Sequence, residues 1–157
     1  MTGFRRGVRL GIDVGRARVG VARSDPDGML AVPVETVPRS EASLDRLAEL
    51  AIEYEPMEFV VGLPVNMQGA DTASTVDARE FAAALQRRTS VAVRLVDERL
   101  STVSAHAALR SSGRNQKNSR SIVDQVAAVV LLQQAIDMEK STGNPAGAAV
   151  PSDEEHP

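Results

Sequence analysis

Three carboxylates stand where a carboxylate needs a reason. Asp13 closes a run in which Val8, Leu10, Ile12 and Val14 alternate with other residues, the period of a β-strand. An acid at the end of an apolar strand is expensive unless it meets partners or a metal ion. Gly15 follows and lets backbone or a phosphate come close. Glu98 stands beside Asp97 at the C-terminal end of a second apolar run, Val91 to Val96, and Asp124 falls in the first turn of a long helical pattern. Together, Asp13, Glu98 and Asp124 form a hard-oxygen donor set of the kind that holds Mg2+ or Mn2+, with water and a phosphate completing the shell. Paired ions about 4 Å apart can activate a water and stabilise the leaving oxygen of a phosphodiester. Plainer explanations compete. Asp13 can simply start a turn, and Asp124 suits the electrostatics of a helix N-terminus. Asp97 and Glu98, if both continue the strand, face opposite ways, so only one can join Asp13.

Positioning such acids takes a sheet. Val19–Arg23 and Met29–Val37 read as two more strands after the first, and Pro33 gives the latter an edge character. Leu44, Leu47, Ala48, Ala51 and Ile52 keep helical spacing over Ser40–Tyr54, with Ser40 as a cap. Glu58–Gly62 is nearly all apolar, as expected of a covered interior strand. A loop over Leu63–Asp71 precedes a helix over Thr72–Arg88, the strand at Val91–Val96, and a helix over Ser101–Leu109. Arg110, Arg114, Lys117 and Arg120 lie in a stretch with no acid, read as a basic loop leading into a last helix over Ser121–Lys140. The order β-β-β-α-β-α-β-α describes an α/β protein with a mixed sheet flanked by helices. Ligands in such sheets bind outside the carboxyl ends of strands, where Asp13 and Glu98 lie.

Composition narrows the classes. Cysteine is absent, which excludes disulfides and zinc-thiolate sites, and two histidines are too few for a histidine-rich metal cluster. No apolar run reaches the length of a membrane span, nor does the N-terminal stretch read as a secretory signal, so a cytoplasmic protein without membrane contact is expected. Net charge is -3, but the three acids beyond Lys140 account for it, leaving a neutral body in which any basic face is local. One Tyr, three Phe and no Trp leave little for a single-strand stacking platform. Residues 1–140 are expected to form one domain, and 141–157, rich in Gly, Pro and Ala, a disordered acidic tail.

At this point the motifs resemble a known family. Gly11-Ile-Asp13-Val-Gly15 with Val19-Gly-Val-Ala22, Val61-Gly-Leu-Pro-Val-Asn-Met-Gln-Gly69, Asp97-Glu-Arg-Leu-Ser-Thr102 and Val123-Asp124-Gln-Val-Ala-Ala128 are similar to the YqgF family, in that order, over about residues 8 to 138. Its members are ribonuclease-H-like proteins described as Holliday junction resolvases and as nucleases maturing the 5′ end of 16S ribosomal RNA. The resemblance implies a five-stranded ribonuclease-H-like sheet with its first strand central, and Asp13, Glu98 and Asp124 as the metal-binding, catalytic acids. It implies a nuclease, a hydrolase of phosphodiester bonds, with Mg2+ or Mn2+ as cofactor. The substrate it implies is pre-16S rRNA or, alternatively, branched DNA, with the ribosome as a candidate partner and a monomer or homodimer as the expected state. Arg16, Asn66, Arg99, Arg114, Lys117 and Arg120 are the candidate nucleic-acid contacts. Arg120 departs from the lysine common near that position, keeping the charge but changing its geometry.

Rival readings remain. Gly-Ile-Asp-Val-Gly also resembles the first phosphate motif of actin-like ATPases, but those need two lobes and a second phosphate turn that this chain lacks. A non-catalytic nucleic-acid or ribosome-binding module is the alternative of another class, with the three acids a coincidence. His106 reads as a surface or packing residue.

Overall fold

The computed structural model describes residues 3–98 and 116–151, with side chains of the last helix from Gln125 onward. Six strands and three helices follow in the order β1 (Arg9–Val14), β2 (Arg18–Ser24), β3 (Ala31–Pro38), α1 (Ser43–Tyr54), β4 (Glu58–Leu63), α2 (Ala73–Thr89), β5 (Val93–Asp97), α3 (Gln116–Thr142) and β6 (Ala148–Ala149). The sheet order is β3-β2-β1-β4-β5-β6. β1, β2 and β3 form an antiparallel meander, whereas β1–β4 and β4–β5 pair in parallel because α1 and α2 carry the chain back across one face. The first strand is central, as expected.

Strand alternation splits the interior in two. Leu10, Ile12, Val19, Val21, Phe59, Val61 and Val93 face α1 and α2, where Leu47, Leu50, Phe81 and Leu85 complete one core. Residues of the other parity face α3: Ala22, Val60 and Val96 meet Ala128, Leu131, Leu132 and Ile136. On this second face the residues are small, so α3 lies close. A Cβ added at Gly11 would come 2.8 Å from Leu132 Cβ and 3.0 Å from the Ala128 carbonyl oxygen. Among the described residues no helix is long and apolar enough to cross a membrane.

The amino end of the sheet is held by buried ions that the alternation of β1 did not suggest. Arg9 is 1% exposed, Glu58 4% and Glu139 2%. Arg9 donates to Glu139 Oε2 at 3.2 Å and lies 3.5 Å from Glu58 Oε2, with its guanidinium 4.4 Å from the Phe4 ring centre. Arg5 bridges both acids, at 2.9 Å to Glu58 and 2.8 Å to Glu139.

Several boundaries depart from the sequence expectations. The third strand starts at Ala31, not Met29, because the Asp25 carboxylate takes the N–H groups of Asp27, Met29 and Leu30 into a turn. Pro33 lies at the sheet edge beside a bulge, where its missing donor costs no ladder bond. α1 begins at Ser43 without a side-chain cap; Ser40 instead bonds the Ala42 N–H in the preceding turn. α2 is capped by Thr72, whose hydroxyl takes the Thr75 N–H while the Thr75 side chain takes that of Thr72. α3 is longer than expected at both ends, and Gln116–Arg120, read as part of a loop, is helical. The helix expected over Ser101–Leu109 lies outside the described residues.

The disordered tail is the largest correction. Residues 141–151 are placed: α3 runs to Thr142, and the chain then wraps the outer edge of β5. Ala148 and Ala149 pair antiparallel with Leu95 and Arg94, making a sixth strand. Ala146 is buried in the core under α3, and Val150 packs on the core of the opposite face. Arg94 donates to the carbonyls of Ala146 (2.7 Å) and Gly147 (2.9 Å), and Gln86 donates to those of Val150 (3.2 Å) and Pro151 (3.1 Å). The acids Asp153, Glu154 and Glu155 lie outside the described residues.

Candidate active site

Register brings Asp13 and Glu98 to one place. Asp13 pairs with Gly20 on β2, and the pairing of Ile12 with Val61 sets Asp13 level with Gly62 on β4. A glycine on each side leaves room above the sheet for the Asp13 carboxylate. On the far side of β4, Gly62 pairs with Val96 and Leu63 with Asp97. Glu98 continues that line by one residue, its N–H donating to the Leu63 carbonyl at 3.3 Å. Alternation therefore puts Glu98 with Val96 and Asp13 on the face covered by α3, and Asp97 on the opposite face.

Gly62 makes this convergence possible. A Cβ built there would lie 2.6 Å from Glu98 Oε2 and 3.4 Å from Glu98 Cβ. The Glu98 carboxylate thus lies across β4, over the residue that neighbours Asp13 on a strand about 5 Å away. Asp13 and Glu98 are both half-buried. The notch over Gly62 is a cradle that any side chain would fill: the Glu98 carboxylate lies over it beside a Leu131 methyl, and the other acid at this level, on β1, is Asp13. Such a site fits a hard divalent cation.

The third acid is placed by the helix backbone alone. α3 runs antiparallel to β1, with Glu139 over Arg9 and then Leu132 and Ala128 over Gly11. One helical turn back from Ala128 covers about 6 Å and arrives at Asp124. Two residues along β1 from Gly11 cover about 6.6 Å and arrive at Asp13. The Asp124 backbone therefore stands at the level of Asp13; its side chain lies outside the described residues. The adjacent Gln125 donates to Thr36 Oγ1 at 2.9 Å, tying this part of α3 to β3. Among the described residues no group of three His, Cys, Asp or Glu side chains assembles.

The β1–β2 turn beside Asp13 is fastened from an unexpected direction. Gly15 donates its N–H to the Arg18 carbonyl at 2.9 Å, so close that a Cβ on Gly15 would sit 2.7 Å from that oxygen. Arg39 donates to the Gly15 carbonyl (2.9 Å) and to both carboxylate oxygens of Asp77 (3.0 and 2.8 Å), over the Phe81 ring. These bonds hold Arg39 above and Asp77 below their ordinary pKa values, with the charge of Arg16 adding a smaller pull on Asp77. No local sequence signal marks Arg39; its partners are 24 and 38 residues away.

The expected nucleic-acid contacts fall into three groups. Arg16 is exposed at the tip of the β1–β2 turn, on the same edge as Asp13. Asn66 organises its own loop, its Oδ1 accepting the N–H groups of Gln68 and Ala70, both at 2.9 Å. Arg99 and Arg114 lie outside the described residues, as do the side chains of Lys117 and Arg120, whose backbone belongs to α3.

Comparison with known proteins shows the family and the fold. A family model described as "RuvX: Holliday junction resolvase" matches residues 7–138. A protein of Clavibacter sepedonicus is 54% identical over 151 residues, covering 94% of each chain, and one of Leifsonia xyli subsp. xyli is 55% identical over 149 residues, covering 94% and 96%. A Streptomyces coelicolor protein is 50% identical over 150 residues, covering 94% of this chain and 90% of its own. All three carry the name "Putative pre-16S rRNA nuclease". Among solved structures, Thermus thermophilus RuvC in complex with a Holliday junction substrate matches with a TM-score of 0.55 at 18% identity, over 88% of this chain and 98% of that one. That likeness establishes a ribonuclease-H-like fold, here with six strands.

Proposed function

Because the chain belongs to the RuvX (YqgF) family, we propose that it is a divalent-metal-dependent endonuclease whose Asp13, Glu98 and Asp124 hold Mg2+ or Mn2+ at the carboxyl edge of the sheet. The observation that carries this reading is the Glu98 carboxylate laid over Gly62, one strand from Asp13. When bound, the cation supplies Lewis acidity at the scissile phosphate. The protein's own part is to orient. The glycines at 20 and 62 clear the space, the Leu63 carbonyl fixes the start of the Glu98 turn, and Arg39 fixes the turn after Asp13. Arg16, Asn66, Arg99, Arg114, Lys117 and Arg120 would set the substrate's backbone in register, since phosphate contacts position without reading sequence.

The proposed substrate is precursor 16S rRNA, trimmed at its 5′ end in the cytoplasm, with the ribosome as a candidate partner. It rests on the shared name of relatives at about half identity. The description of the matching family favours a second substrate, a four-way DNA junction. Symmetric cutting of a junction would call for a two-fold dimer, whereas trimming an RNA end asks only for a monomer. Residues 1–140 carry the chemistry in either case.

The test combines purified protein with precursor RNA and with a four-way junction, each in Mg2+ or Mn2+, alongside depletion in cells and mapping of 16S 5′ ends. Cleavage of the RNA and accumulation of precursor are expected. Normal 5′ ends with junction cutting would move the assignment to DNA. No cleavage of either, with binding kept, would leave a non-catalytic module.

A further inference from the structure

Among the described residues Met67 is the most exposed large apolar one, at 86%, and it stands at the carboxyl edge of the sheet. Single exposed apolar side chains are common and usually mean nothing. This one differs in how it is held. The Asn66 carboxamide takes two backbone N–H groups, the Asn66 N–H bonds the Ala70 carbonyl at 3.0 Å, and the Gly69 N–H bonds the Asn66 carbonyl at 2.9 Å. Gly69 takes a left-handed φ of 80°, which closes the turn. A bridge between Val65 and Asp71 joins the loop's two ends, and the Thr75 hydroxyl at the start of α2 bonds the Pro64 carbonyl. A loop braced at this many points loses little entropy when its tip meets a partner. Its exposed tip sets the apolar, flexible thioether of Met67 beside the Gln68 carboxamide.

The position says what that partner is. Met67 stands four residues beyond Leu63, whose carbonyl takes the Glu98 N–H, so it is within about 14 Å of the proposed cutting site. That is a span of a few nucleotides. An apolar tip gains nothing from phosphates; the apolar surface a nucleic acid offers is the face of a base, accessible where stacking is interrupted. Methionine is among the side chains that wedge into base steps. We propose that Met67 inserts against an unstacked base near the scissile phosphate, so that the enzyme senses interrupted stacking through contact rather than sequence. This rests on the nuclease reading but is tested by binding, apart from cleavage.

The experiment uses the full chain in an Asp13→Asn background, with Met67, Met67→Ala or Met67→Leu. Three probes carry 2-aminopurine: a single-stranded RNA, a four-way DNA junction and a fully paired duplex. With Met67, fluorescence of the single-stranded or branched probe is expected to change on binding. Met67→Ala should abolish that change and weaken binding of that probe roughly tenfold, the lower range for base stacking, and Met67→Leu should restore both. The paired duplex should bind all three alike. Equal fluorescence and affinity for Met67 and Met67→Ala, or an equal loss on the paired duplex, would overturn the proposal. Cleavage by wild type is scored separately, so a failed wedge and a failed nuclease give different results.

Discussion

The two ends of β1 carry carboxylates under opposite rules. At the amino end, Glu58 and Glu139 are almost completely buried, and two arginines, Arg5 and Arg9, are locked between them. At the carboxyl end, Asp13 and Glu98 are half-buried, and the Glu98 carboxylate lies over Gly62, which is level with Asp13. Acids of the first kind are closed into a structural joint. Acids of the second kind are the ones proposed to hold an ion. Charge alone does not separate the two kinds; burial does, nearly complete at Glu58 and Glu139 and partial at Asp13 and Glu98.

The largest expected effect breaks the open end. Asp13→Asn should reduce cleavage below detection while leaving nucleic-acid binding nearly intact, read by gel-based cleavage and a binding titration. In the absence of metal it should also raise the melting temperature, because one of several converging like charges is gone. Wild type should instead be stabilised by added Mg2+ or Mn2+ through mass action.

Breaking the closed end should do the reverse. Arg9→Met removes one partner of a buried network and should cost about 3–5 kcal/mol in urea unfolding, with cleavage per folded molecule unchanged. The same joint has a pH signature. Burial pushes the Glu139 carboxyl up, but the Arg5 bonds and the Arg9 charge outweigh it and hold it below its ordinary value of 4.5. A depressed folded value means the contribution is present above pH 4.5 and is lost as pH falls through the folded value. Stability measured down an acid series should therefore fall less steeply in Glu139→Gln than in wild type.

A subtler change sharpens the comparison without touching a charge. In Gly62→Ala the new methyl would meet the far end of the Glu98 side chain, which can swing away, and a Leu131 methyl at 3.2 Å, which must give slightly, so the fold should lose about 1 kcal/mol. Cleavage should drop on the order of 10–100-fold, the usual effect of disturbing what orients a ligand. Unchanged kinetics would mean that Glu98 does not work from this notch. The smallest effect concerns the β5 edge near neither end. Gly147 has φ 70° and lies so close that a Cβ would come 2.0 Å from the Leu95 carbonyl oxygen. Gly147→Ala should detach β6 and lower stability by about 1–2 kcal/mol, or roughly 2–8 °C in melting temperature for this size.

That last residue also shows where reading the sequence stopped. The alternation of β1, the apolar run of β4 and the helix expected from about Thr72 to Arg88 are local patterns, and each element formed where its pattern stood. The Gly, Pro and Ala content after Lys140 read as a solvated tail, yet small residues are what let the chain press against β5. What holds it there, Arg94 and Gln86, is about 50 to 65 residues away in sequence. Arg9 carries no local signal of its burial either. On a half-exposed strand its parity would face water, and only Glu139, 130 residues on, makes that face interior. The choice between Asp97 and Glu98 stayed open because parity is relative, and the pairing of Leu63 with Asp97 supplies the reference.

The strap of β6 has a consequence for how copies of this protein can meet. An uncovered edge strand offers a row of free donors and acceptors that templates another strand. Here β5 is sealed: Gln86 Oε1 takes the Val93 N–H and the Val150 N–H takes the Val93 carbonyl, both at 2.9 Å, while β6 itself is only two residues long. At the other margin, β3 carries Pro33 and a bulge. Among the described residues neither border is a long, regular free edge, so a two-copy assembly of these elements would form more readily through helices and loops than by extending the sheet. The same sealing keeps the folded chain from polymerising strand to strand.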